Sequence, residues 1–192
     1  MIYLILGLVL FLGVHSVGVF STTLRDHTIA RIGEGPWKGL YSLLSIAGFV
    51  LLIWGYGIAR QQPIVLYGPP VWTRHLAAAL MLPVFPLLLA AYLPGRIKTA
   101  AKHPMLAAVK FWALAHLVAN GMLADVLLFG GFLAWAVANR ISMKRRPVRP
   151  VPGAPPSKIN DVIVVVVGLA LYVIFALWLH VRWIGVAPLP QM

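Results

Sequence analysis

The stretch MIYLILGLVLFLGVHSVGVFSTT, residues 1–23, carries one side chain that titrates near neutrality, His15. The rest is an apolar run over residues 2–23, broken only by small polar residues and Tyr3. About 20 such residues, rising ~1.5 Å each, cross the ~30 Å hydrocarbon core of a bilayer. The segment has no basic leader and no small-residue cleavage site, so it is predicted to be a retained transmembrane helix rather than a secretory signal. Further apolar runs fall at 40–59, 75–93, 104–119, 122–139 and 162–181.

These runs dominate the composition. The chain is 61% hydrophobic, its mean hydropathy is +0.90, and only four of its 192 residues are acidic. That balance excludes an ordinary soluble domain and predicts an all-α, polytopic integral membrane bundle of about six transmembrane helices. The fourth and fifth runs are shorter and read as a tight hairpin turning at Asn120-Gly121; five crossings result if that pair is re-entrant. Cysteine is absent, which excludes disulfides, thiolate ligands and cysteine nucleophiles.

The net charge of +12 is distributed by topology. Arg25, Arg31, Lys38, Arg96, Lys98, Lys102, Arg140, Lys144, Arg145, Arg146, Arg149 and Lys158 fall in the first, third and fifth loops. The alternate loops and the C-terminal end hold Arg60, Arg74 and Arg182. This asymmetry places the odd loops in the cytoplasm and both termini outside, and it argues against nucleic acid as a partner. Membrane lipid is the expected partner of the basic loops.

Between the runs, LRDHTIARIGEGPWKG reads as an interfacial segment with Trp37 and Tyr41 at headgroup level. Pro83 and Pro86 predict a kink within the third helix. KRRPVRPVPGAPPSK reads as an extended or flexible connector. The expected organisation is a five-helix core over 1–146, a Pro-rich basic cytoplasmic connector over 147–161, and a last transmembrane helix over 162–192.

Six histidines are candidates for chemistry. His27 sits in a charged loop and His75 at the start of the third helix, where headgroups account for them. His180 ends the last helix beside Arg182 and Trp183 as an interfacial anchor. His103 precedes Pro104, which suits Pro104 to the first helical position and His103 to its cap. His15 and His116 differ, because they lie inside apolar helices with no carboxylate near in sequence. An ionisable group in hydrocarbon is costly and marks a functional site by default, and neutral imidazole is a common ligand of metals, haem iron included. Counted from the cytoplasmic ends of their helices, His15 lies ~13 Å and His116 ~18 Å deep, comparable depths for two axial ligands. Gly13, Ser16 and Gly18 leave space around His15, while Trp112 and Asn120 share the face of His116 and would wall a pocket and hydrogen-bond a polar edge. Arg25 or Lys110 would serve as counter-ions for haem propionates. The competing reading is structural, with each imidazole hydrogen-bonded to a carbonyl or serine of a neighbouring helix. Zinc lacks a third good ligand at short spacing.

Four stretches in order, LGLVLFLGVHSV around His15, GLYSLLSIAGFVLLIWGY (39–56), HPMLAAVKFWALAHLVANG (103–121) and FGGFLAWAVANR (129–140), resemble the NnrU family of bacterial membrane proteins. The resemblance implies an association with denitrification through nitrite and nitric oxide reduction. The family is also similar to the 15-cis-zeta-carotene isomerases, membrane proteins that bind haem b through histidines. By that similarity His15 and His116 match the two ligands, and His103 matches a histidine on the second ligand's helix. The isomerases' cysteine, one turn before the second ligand, corresponds here to Ala113, so a thiolate exchange is impossible.

Three functions are therefore expected to compete. The first is a haem b protein of the inner membrane, with bis-histidine iron, in nitrogen-oxide or redox metabolism, served by a membrane redox partner. The second is a haem-dependent isomerase of a hydrophobic polyene. The third is a non-catalytic membrane factor for nitric oxide reductase.

Overall fold

A computed structural model describes residues 1–146 and 151–189. Helix dominates: α1 (Ile2–Phe20), α2 (Thr22–Ile32), α3 (Glu34–Ala59), α4 (Thr73–Met81), α5 (Val84–Ala90), α6 (Arg96–Ala101), α7 (Pro104–Ala119), α8 (Leu123–Ser142) and α9 (Lys158–Ile174) follow in order. A π-helical turn, Phe175–Leu179, then carries α9 into α10 (His180–Ile184). Five helical stretches are long and apolar enough to cross a membrane: Ile2–Phe20, Glu34–Ala59, Thr73–Ala90, Leu123–Ser142 and Lys158–Ile184. The remaining expected crossing, 104–119, is a shorter apolar helix of 16 residues, α7. At ~1.5 Å per residue it is ~24 Å long, short of the hydrocarbon thickness.

The helices sort into two compact units, Met1–Leu66 with Met122–Val148, and Tyr67–Gly121 with Arg149–Met192. In the first, α1 and α3 run antiparallel at close range because glycines face backbone. A Cβ on Gly55 would collide with the backbone of Tyr3 and Leu4, one on Gly48 would lie 2.8 Å from Phe11 N, and one on Gly7 2.6 Å from Leu52 Cα. Small residues at such contacts let helices gain van der Waals contact that lipid tails cannot match. α8 runs parallel to α1: the Ser142 hydroxyl near its end donates to Val19 O at 3.0 Å. At the opposite end the Tyr56 hydroxyl donates to Asp125 Oδ1 at 2.6 Å, and Met122 N donates to Asp125 Oδ2 at 3.1 Å. Asp125 is 3% exposed, so one buried carboxylate both caps α8 and ties it to α3.

In the second unit the prolines act as expected. The crossing over 75–93 is broken, α4 stopping at Met81 and α5 starting at Val84, with Pro83 between them. α9 packs on α5 where Gly168 meets Pro86, a Cβ at Gly168 falling 2.6 Å from Pro86 N. The Tyr172 hydroxyl donates to Ala78 O at 3.1 Å, and the rings of Phe85 and Phe175 meet at 5.7 Å, tilted by 50°. Val84, Leu87 and Ala108 form a core joined by Met81, Ile97 and Trp112.

Two expectations are corrected. LRDHTIARIGEGPWKG is helical rather than loop: the Ser21 hydroxyl caps α2 by accepting from Leu24 N at 3.0 Å, and α3 begins at Glu34 instead of residue 40. The second concerns the connector, of which residues 147–150, Arg149 among them, lie outside the described residues. Its remainder is extended but tethered, with Ala154 N donating to Tyr92 O at 2.9 Å and Ser157 N to Pro94 O at 3.2 Å. The helix after it starts at Lys158, not 162, since Ser157 caps it and Asp161 is held by α6.

Candidate cofactor-ligating histidines

His15 belongs to the first unit; His116, Trp112, Asn120 and His103 belong to the second. His15 and His116 are each oriented by their own helix. The Nδ1–H of His15 donates to Phe11 O at 2.7 Å, and that of His116 to Trp112 O at 2.8 Å. A carbonyl only accepts, so Nδ1 must carry the proton, and in the neutral ring the lone pair is then on Nε2. Metal-ligating histidines use this arrangement, one nitrogen donating to a carbonyl and the other bound to the metal. Four-residue spacing on a helix supplies it without help from elsewhere in the fold.

Around His15, three helices contribute. Phe11 lies 4.3 Å away ring to ring, Tyr41 of α3 5.4 Å at a steep angle, and Trp135 of α8 6.2 Å and nearly perpendicular. His15 also lines a cleft of about 310 Å³ with Arg25, Trp37, Lys38, Tyr41 and Ser42. Arg25 contacts Asp26 at 3.1 Å and Lys38 contacts Glu34 at 2.8 Å, so each of these two cleft cations is paired with a carboxylate. Within the same unit the indole Nε1 of Trp135 and the hydroxyl of Ser45, one turn along α3 from Tyr41, are buried and make no hydrogen bond among the described residues. Buried polar atoms are nearly always satisfied, and leaving one unmatched costs about 1–3 kcal/mol. Tyr41 and Trp135 are neighbours of His15 that the local sequence around it does not announce; Ser45 shares the helix face of Tyr41 at four-residue spacing.

Around His116 the neighbours come largely from its own helix. Trp112 stands 5.4 Å from the imidazole, tilted by 52°, and packs on the Val84–Leu87–Ala108 core. Asn120 ends α7: its backbone N–H and its Nδ2 both donate to His116 O at 2.9 Å. The Tyr67 hydroxyl reaches the carbonyls of Leu117 and Asn120, closing the helix end. His103 occupies the cap position before Pro104, the placement read from the sequence. Ala113, where the isomerases carry cysteine, is fully buried in α7. His27 and His75 are exposed at their helix surfaces, and His180 donates to Val186 O at 2.6 Å. Among the described residues no group of three or more His, Asp or Glu side chains is placed to hold a metal ion.

A helical chain with several stretches able to cross a bilayer and two histidines set within apolar helices is a multi-pass membrane protein. Its family follows from the whole length: the family model described as NnrU protein matches residues 3–188, so the chain belongs to the NnrU family. The match runs through the proline-rich connector and all of the last helical stretch. No curated protein and no solved structure matches the chain.

Proposed function

We propose that this protein binds haem b in the bacterial inner membrane, that His15 and His116 would hold it, and that it serves nitrogen-oxide or redox metabolism of the denitrification type. The observation that carries this reading is the shared Nδ1–H donation to the carbonyl one turn back, which makes both imidazoles Nε2 donors. Each Nδ1 bond stays within its own helix and fixes the tautomer of that ring, which is what a ligating imidazole needs. The residues fit the group. His15 offers a nitrogen ligand beside aromatic faces, and Arg25 and Lys38 line the same cleft as cations for propionates. Bound haem would supply one-electron chemistry, tuned by the imidazoles that hold it. The protein's share is to fix the imidazole tautomer and to present basic side chains to the acid groups.

The test is the visible spectrum of detergent-purified protein, oxidised and reduced, with the haem type assigned after extraction. Sharp reduced α and β bands of a six-coordinate haem b are expected, lost or altered in His15→Ala and His116→Ala and unchanged in His27→Ala. A folded protein prepared with haem supplied, yet free of pigment, overturns the reading; so does unaltered pigment in both alanine variants.

A further inference from the structure

A second cleft, of about 490 Å³, opens where the C-terminal ends of α1 and α8 meet. We propose that it binds the phosphate headgroup of one anionic phospholipid. Its polar wall is made by Arg145, Arg146 and Thr22, and its apolar wall includes Phe20, Ala138 and Ile141. Arg146 is anchored: Nη1 donates to Gly18 O, and Nη2 donates to Asn139 Oδ1 at 2.6 Å. Its Nε is buried with no hydrogen-bond partner among the described residues, a guanidinium donor without an acceptor. The Arg145 side chain is exposed and makes no hydrogen bond or ion pair among the described residues. α2 begins at Thr22, so the positive end of its dipole lies at the same rim.

Charge complementarity selects the occupant. None of the four carboxylates lines the cleft: Asp26 and Glu34 contact Arg25 and Lys38, Asp125 is held by Tyr56, and Asp161 by the α6 amides. Two guanidiniums with no acid of their own suit a phosphate, which arginine meets with paired donors. The apolar wall selects a lipid over a free ion. Phe20 is 87% exposed and Ile141 52% exposed at the ends of membrane-length helices, where an acyl chain would lie alongside them. Helix ends are the depth of headgroups, and basic residues there favour anionic lipids. This site does not involve His15 or His116, so its fate is independent of the haem reading.

Native mass spectrometry of the full chain released from detergent tests it, using phosphatidylglycerol and phosphatidylcholine with identical acyl chains. One phosphatidylglycerol should be retained in preference to phosphatidylcholine, and Arg145→Gln should weaken that retention about fivefold, the worth of one basic residue at an anionic surface. Arg182→Gln, which removes the same charge from the second unit, should leave retention unchanged. Arg146→Gln is expected to weaken it as well, but its bonds to Gly18 and Asn139 make Arg145 the cleaner probe, since that side chain holds nothing in place. Equal retention of the two lipids, wild-type retention by R145Q, or displacement by inorganic phosphate as effective as by phosphatidylglycerol would each overturn the proposal.

Discussion

His15 and His116 are oriented by one local device and surrounded by two different ones. The ring of His15 meets side chains from α3 and α8, beside a cleft with two cations and in a unit where Trp135 Nε1 and Ser45 Oγ are unmatched among the described residues. The ring of His116 sits near the end of a short helix, against Trp112 from the turn before and an Asn120 amide bound to its own carbonyl oxygen. The difference teaches that the imidazole tautomer is a property of helix geometry, whereas the room for a guest is a property of tertiary packing. His15's environment is therefore vulnerable to anything that shifts α1 against α3, and His116's to the ending of α7.

The largest effect should come from breaking that first contact. Gly55→Leu puts a side chain into the backbone of Tyr3 and Leu4, where no rotamer can yield. Overpacking of this kind costs about 3 kcal/mol or more, and backbone as the obstacle places it at the upper end. The unfolding midpoint in detergent should fall steeply, and any ligand at His15 should be lost with it. Gly168→Leu, directed at Pro86 in the second unit, is the matched control: a protein tolerating both would show that the close glycine contacts do not organise either unit.

A smaller loss is expected from the polar tie at the opposite end of α8. Asp125→Ala removes the acceptor of both the Tyr56 hydroxyl and Met122 N. With Asp125 at 3% exposure, the stranded donors should lower stability by about 2–3 kcal/mol in denaturant titration. Tyr56→Phe should cost less, because the carboxylate keeps its bond to Met122 N. An Asp125→Ala variant as stable as wild type would reduce this carboxylate to an ornament of α8.

How far the sequence announced these features depends on their range. Apolar length alone placed α1 and α8, and Pro83 placed the break between α4 and α5, because each is decided within a few turns of chain. The start of the last helix was misplaced by four residues because its first turn, KIND, is polar; hydropathy ends where Ser157 and Asp161 take over. The tether of 151–157 to Tyr92 and Pro94 was illegible, since backbone carbonyls about sixty residues away leave no mark in a proline-rich stretch. The same holds at the candidate site. Phe11 and Trp112 follow from four-residue spacing, while Tyr41 and Trp135 reach His15 only through the packing of α3 and α8.

The smallest change expected sharpens the comparison most. Ser45 Oγ is buried and unmatched among the described residues, so in ligand-free protein the hydroxyl is a cost rather than a bond. Ser45→Ala removes it with little change in volume and with a better helix former in its place, and should raise stability by up to about 1 kcal/mol. If a guest at the His15 cleft accepts or donates a bond there, the sign reverses in the loaded protein, where Ser45→Ala should weaken retention of the guest. Unfolding measured with and without haem supplied therefore gives two numbers of opposite sign for a ligand-binding hydroxyl and one shared sign for an idle one. The corresponding substitution in the second unit, Asn120→Ala, should carry the same sign in both conditions, because its amide already bonds His116 O. An Asn120→Ala effect that depended on haem while Ser45→Ala did not would move the polar contacts of the site from His15 to His116.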